Sequence, residues 1–451
     1  MDRTNCRQRF YNISGIAGIL CLWILTSVVP LAAQTPSPDD LKRERNRGIV
    51  MLQLVKDYLK EYYYDPTYHG MDVDARFKAS EDKIKEAGSV GQIMGIIAQT
   101  LTELNDSHTF FAPPPRPVDV DYGWKMQMIG DTCFVVAVKP GSDAEAQGLK
   151  PGDEVLTLDG FKPTRQNIWK MEYNYNLLRP QPGKHIVIRT PDGQQRDLPL
   201  KAKVEKKPKS VNLTEYFNDI NEEREDEKKL PRYFDAGDVL IWKLREFGLT
   251  ESKVDDMMKK ARDHKALILD LRGNGGGYET TLKRMVGYVF DHEINIGMAK
   301  SRKEKDTKPI IAKSRAEKSF KGPLFVLIDS DSGSAAELFA HVVQLEKRGT
   351  VIGDRSAGAV MRAVFRPGLL GDMSNGNMIP YGASITHSDI ILSDGKSLEH
   401  VGVIPDELLL PTAADLAAKR DPVLARAAAL AGAELSAEKA GTLFPLELEK
   451  W

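Results

Sequence analysis

Ala266-Leu267-Ile268-Leu269-Asp270-Leu271-Arg272-Gly273-Asn274-Gly275-Gly276-Gly277 runs from an unbroken apolar stretch into a glycine-rich bend. Five to six apolar residues without alternation, closed by glycine, read as a strand buried on both faces. The periodicity after the bend predicts a helix over Thr280–Phe290. Outward from this point the same alternation recurs. Strand Val239–Leu244 and helix Val254–His264 precede it, and strand Leu324–Asp329, helix Ser334–Glu346 and strand Gly349–Gly353 follow it. Apolar strands alternating with helices predict an α/β layered domain.

Upstream the pattern is different. Asp39–Tyr64 reads as a helix with Val50, Leu52, Val55 and Leu59 on one face, followed by helices over Asp72–Gly88 and Val90–Leu104. The block ends at Pro113-Pro114-Pro115, which no helix continues. Short β-rich runs separated by turns then fill Val118–Val204. Within them, Gly148-Leu149-Lys150-Pro151-Gly152-Asp153-Glu154-Val155 follows a strand and a short helix. This segment resembles a PDZ domain, a module that adds an extended peptide to a sheet edge and often captures its C-terminal carboxylate in backbone amides. A charged stretch, Glu205–Lys229, reads as a linker.

Composition narrows the class of function. In 451 residues, 63 basic and 64 acidic side chains nearly cancel, so neither nucleic acid nor an anionic surface is indicated. The lysine clusters at 201–209 and 300–305 are short, lack interleaved aromatics, and read as solvated segments. Arg3, Arg7 and Arg9 precede an apolar run from Ile13 to Ala33, the pattern of a secretory signal cut after Ala33, with an uncut single-span anchor as the alternative. Cleavage removes Cys6 and Cys21 and leaves Cys133, inside the apolar run Thr132–Val138, without a disulfide partner. Cys133 reads as a small buried residue rather than a nucleophile.

Three separated segments carry chemistry. Asp106-Ser107-His108-Thr109 supplies an imidazole. Asp270–Gly277 supplies a bend of backbone amides. Ser332-Gly333-Ser334-Ala335-Ala336-Glu337 places a serine at the start of a helix. Hydroxyl, imidazole and oxyanion donors are the parts of acyl transfer to serine. Each part has a plainer reading: Ser334 as an N-cap, the glycines as a tight turn, His108 as a structural histidine. The glycines match neither a dinucleotide fingerprint nor a phosphate loop, and no His-Glu-x-x-His or Cys/His cluster suggests a metal, so no cofactor is expected.

Taken in their order along the chain, with the PDZ-like segment and the export signal, these motifs resemble the C-terminal processing (tail-specific) proteases and their tricorn relatives. The resemblance runs from about residue 40 to 412. It rests on Asp270–Gly277, Ser334-Ala335-Ala336-Glu337 and Gly402-Val403-Ile404-Pro405-Asp406. It implies a crotonase-like ββα catalytic domain over 238–451, after a signal peptide (1–33), a helical region (34–115), a PDZ domain (118–204) and a linker (205–237). Ser334 is then the nucleophile, and the amides of Ala335 and Gly276 the oxyanion donors. The processing proteases use a lysine base, but the matching segment here, Gly353-Asp354-Arg355-Ser356-Ala357-Gly358-Ala359-Val360-Met361, has alanine at that position. No lysine lies between Lys347 and Lys396, and arginine stays charged, so a lysine dyad is excluded. The tricorn branch uses a histidine preceded by serine and a late glutamate, which Ser107, His108 and Glu399 match in order. The expected protein is thus a secreted or periplasmic serine endopeptidase. Its partner is a peptide or protein, held through its C-terminus at the PDZ domain. Membrane contact is expected only through an uncut leader, and oligomerisation is left open. A non-catalytic binding protein on the same fold is the competing reading.

Overall fold

Along the strand Ala266–Asp270 every residue is buried, and successive side chains enter different cores. Leu267 and Leu269 join Leu240, Trp242, Val326 and Ile328 on one face, while Ala266 and Ile268 join Val239, Ile241, Phe325 and Leu327 on the other. That two-sided burial is why the stretch shows no alternation. The structure, a computed structural model, describes residues 38–206, 232–371 and 378–445. The expected leader and the linker residues 207–231 lie outside them.

The strand belongs to a six-stranded sheet ordered Glu407–Leu408, Thr350–Gly353, Leu324–Ile328, Ala266–Asp270, Val239–Lys243 and Arg232–Ala236. All neighbours are parallel except the last pair. Helices Glu251–Arg262, Glu279–Val289 and Ala335–Leu345 pack on one face, and Pro422–Ala431 with Ala437–Leu443 covers the other.

A second sheet is built on the long strand Ile379–Leu392. Phe110–Ala112, Met361–Leu370 and Ile294–Ser301 pair with it antiparallel, and Lys308–Ala312 pairs with Ile294–Ser301. This sheet receives the chain just after His108, just after Val360, and just before Glu399. The N-terminal helices, Pro38–Tyr62, Val73–Glu86 and Val90–Thr102, share a core with Phe111, Tyr381, Ala383 and Ile385 of the same sheet. Val50, expected inside, is 52% exposed, and Met51 takes the buried position beside Leu52, Val55 and Leu59.

A five-stranded antiparallel sheet, Trp124–Ile129, Thr132–Val138, Glu154–Leu158, Gly183–Arg189 and Gln195–Lys201, has its own core. Cys133 is buried in it. A ribbon of Val118–Asp121 paired with Lys203–Lys206 closes its entry and exit. Glu205, expected in the linker, lies in that ribbon. Among the described residues no helix is long and apolar enough to cross a membrane.

Candidate active site

Ser334 stands between the strand Leu324–Ile328 and the helix Ala335–Leu345, with φ 51° and ψ −115°. The Ser and Thr N-caps of the other described α-helices, Ser89, Ser142, Thr250, Thr412 and Ser436, are all extended, and each hydroxyl accepts from the amide three residues on. A positive φ on serine is strained, and such strain persists only where surrounding contacts impose it. The contacts are present. The Ser334 N–H donates to Ala359 O at 2.9 Å and to Glu337 Oε2 at 3.0 Å, and the neighbouring Gly333 N–H donates to Asn274 O at 2.8 Å.

Glu337 organises one side of the site. It is fully buried and accepts from Ser334 N–H, from Ala359 N–H at 2.9 Å, from Gly358 N–H at 2.7 Å and from the Ser356 hydroxyl at 2.6 Å. Burial pushes its carboxyl up to about 7 against the pull of these donors. The strap 354–360 is thereby fixed to the turn at Ser334.

The strap also reaches the histidine. Val360 N–H donates to Glu399 Oε2 at 2.8 Å, and the other oxygen of Glu399 accepts from Ser107 N–H at 2.7 Å. The Ser107 hydroxyl lies 2.9 Å from Glu399 Oε2 and 2.7 Å from His108 Nδ1. With Glu399 ionised, the single hydroxyl proton goes to the carboxylate, so His108 Nδ1 carries the hydrogen and donates to Ser107 Oγ. Nε2 is then the unprotonated nitrogen. Burial holds the His108 pKa below the ordinary imidazole value, with Asp106 acting the other way. Burial raises Glu399, opposed by the Val360 and Ser107 donors.

Asp106 holds the turn in place. Its carboxylate accepts from His108 N–H at 3.0 Å, Thr109 N–H at 2.7 Å, the Thr386 hydroxyl at 2.8 Å and the Tyr63 hydroxyl at 2.9 Å. The sequence motifs by themselves assign no role to Asp106 or Glu337. The signals were there: an aspartate accepting from the amide two residues on, and Ser-x-x-Glu capping-box spacing.

The glycine bend differs from expectation. Gly276 N–H donates to Asn274 Oδ1 at 2.9 Å, so this amide is already occupied. Asn274, fully buried, is itself anchored to Leu244 O at 2.9 Å. The need for glycine at 276 is steric: with φ 107°, a Cβ would sit 2.6 Å from Ser334 Cβ and 3.0 Å from Ala335 N. The Ala335 amide heads the helix, where intrahelical partners are missing. Ser334, Ala335 and Gly276 are therefore in one cluster, and Ser107, His108 and Glu399 in another. The strap links the two, and no hydrogen bond joins His108 to Ser334 among the described residues.

A strained serine heading a helix and a histidine oriented through a hydroxyl and a carboxylate are the equipment of the serine hydrolases. Residues 238–409 match the model of peptidase family S41. It is 26% identical over 249 residues to a tail-specific protease of Haemophilus influenzae, covering 52% of this chain and 33% of that protein. A putative tricorn protease homolog 2 of Streptomyces coelicolor is 24% identical over 394 residues, 83% of this chain and 31% of the relative. A probable CtpA-like serine protease of Staphylococcus aureus is 22% identical over 405 residues, 88% of this chain and 72% of the relative. The chain thus spans about a third of the length of the first two. The crystal structure of mature CPAF superposes with a TM-score of 0.62 at 14% identity, covering 83% of this chain and 94% of that one. The resemblance to the tail-specific and tricorn proteases read from the motifs holds.

Proposed function

We propose that the chain is an exported serine endopeptidase that cleaves peptides or proteins through an acyl-enzyme on Ser334, with His108 as the base. The observation that carries this reading is the hydrogen-bonded series Glu399–Ser107–His108, which leaves Nε2 free to take a proton. Substrate enters beside Ser334, and His108 Nε2 takes the hydroxyl proton as Oγ attacks the scissile carbonyl carbon. The imidazolium is stabilised through Nδ1–H, the Ser107 hydroxyl and Glu399. The oxyanion accepts from Ala335 N–H, and from Gly276 N–H once substrate displaces Asn274 Oδ1. The C–N bond breaks as His108 returns the proton to the leaving amine, and water releases the acyl group by the same route.

The crotonase-like reading of residues 238–451 is supported by the parallel sheet with helices on both faces. A PDZ reading of 118–204 is supported by the strand, short helix Asp143–Ala146 and turn before Glu154–Leu158. The lack of a hydrogen bond between His108 and Ser334 fits a site completed when substrate closes it. That lack, with the missing lysine, is also what favours the competing reading of a non-catalytic binding protein. Fluorophosphonate labelling of the mature protein decides. Label on Ser334, lost in Ser334→Ala and His108→Ala, supports the peptidase. No label, where a known serine hydrolase reacts, favours the binding protein.

A further inference from the structure

The five-stranded sheet has an edge strand, Trp124–Ile129, and three of its residues bind a neighbouring loop of the same chain. Lys125 Nζ reaches Asp331 Oδ2 at 3.0 Å, Gln127 Nε2 donates to Asp329 Oδ2 at 2.7 Å, and the Met128 carbonyl accepts from the Ser330 hydroxyl at 2.6 Å. Just past the strand, Gly130 N–H donates to Asp354 Oδ2 at 2.8 Å. The partners are the loop 329–332, which leads into Ser334, and the first residue of the strap.

Asp329 carries the contact further. Its Oδ1 accepts from Gly273 N–H at 2.8 Å in the glycine bend and from the Ser332 hydroxyl at 3.2 Å. Gln127 thus completes a carboxylate that ties the glycine bend to the nucleophile loop. At the head of the strand, Gly123, with φ 71°, turns its N–H onto Asp121 Oδ1 at 2.8 Å, and Lys139 Nζ holds Asp121 Oδ2 at 2.5 Å. A carboxylate of the chain itself occupies this amide, where a module of this kind would offer amides to a peptide terminus.

We propose that this sheet edge is a docking surface for the chain's own nucleophile loop, with Lys125 and Gln127 as positioning residues, and that it does not read a substrate's C-terminal carboxylate. This replaces the expected capture of substrate through its C-terminus. It rests on the peptidase reading above, and it deepens that reading by making the substrate class internal peptide bonds, independent of the chain end.

The test compares one substrate with a free and an amidated C-terminus, and the Gln127→Leu, Lys125→Met and Lys125→Arg variants. The two substrates should give kcat/KM values within about twofold, and Gln127→Leu and Lys125→Met should lower kcat about tenfold with KM little changed. Lys125→Arg keeps the charge and should restore kcat, which separates positioning from simple loss of packing. A preference of about tenfold or more for the free carboxylate, or variants that raise KM and leave kcat alone, overturns the proposal. Should the wild type turn over nothing, binding of the two labelled peptides to intact protein decides independently. Equal affinity supports the proposal, and tighter binding of the free terminus sinks it.

Discussion

Four donors converge on one buried carboxylate at Glu337, two on each oxygen. Glutamine cannot serve them, because its NH2 would face two donors in place of an acceptor. Glu337→Gln should therefore lower kcat by about 10- to 100-fold, since each buried donor left unpaired costs about 1–3 kcal/mol. Labelling rate at Ser334 is the readout, and an unchanged rate would remove Glu337 from the site. Its pH behaviour follows from burial. A proton on Glu337 takes away an acceptor, and a proton on His108 takes away the base, so both losses fall on the acid side. The rate should fall first through about pH 7, where Glu337 titrates, and again below the ordinary imidazole range, where His108 does. Glu337→Gln should show only the second step. Stability runs the opposite way. The Glu337 carboxyl is raised in the fold, so the native state binds more protons than the unfolded chain up to about pH 7. Its contribution is present in acid and is lost as pH rises through that value. At this scale the sequence was least legible: Ser334 looks like any helix-capping serine until its φ is known.

Elements were easier to read. The strands at 239, 266, 324 and 350 and the helices that follow the first three lie where buried runs and 3.6-residue periodicity put them, within three residues at the ends. What periodicity did not give was the hairpin arm Met361–Leu370, whose half-exposed, irregular pattern has no clear alternation. Nor did it give the C-terminal helices, whose alanine-rich faces carry little contrast. The glycine bend is the element that can be tested most sharply. Gly276→Ala must push against Ser334 Cβ and Ala335 N from a left-handed backbone, and should reduce labelling by more than about 100-fold. Gly273→Ala shares the positive φ, 69°, but meets nothing within 4 Å. It should cost about 1–2 kcal/mol in thermal unfolding and leave labelling within about threefold. Equal losses in the two variants would mean that backbone strain, not contact with the turn at Ser334, sets the requirement for glycine.

Across the whole molecule, Arg165 is one of the ties between the five-stranded sheet and the layers that carry Ser334. Its guanidinium, only 10% exposed, binds Asp354 Oδ2 at 2.5 Å, Gly130 O at 2.7 Å and Arg355 O at 3.0 Å. One side chain thus joins the end of the edge strand to the start of the strap that carries Ala359 and Val360. None of this was readable from sequence, because Arg165 and Asp354 sit 189 residues apart in no motif. Arg165→Met leaves Asp354 buried without its counter-charge, a loss of about 3–5 kcal/mol where a buried pair is broken. The loss should be unevenly distributed. Amide exchange should quicken in 132–138 and 183–189, which lie in the five-stranded sheet, and stay slow in 266–270 and 324–328, which have helices on both faces. Burial already raises Asp354 and Arg165 lowers it, so removing the arginine lets the carboxyl protonate at higher pH. A neutral Asp354 no longer lacks a partner charge, and the deficit against wild type should shrink as pH falls. A deficit that is constant with pH, or exchange that quickens equally in both sheets, would show that Arg165 contributes packing alone and that the two parts are held together elsewhere.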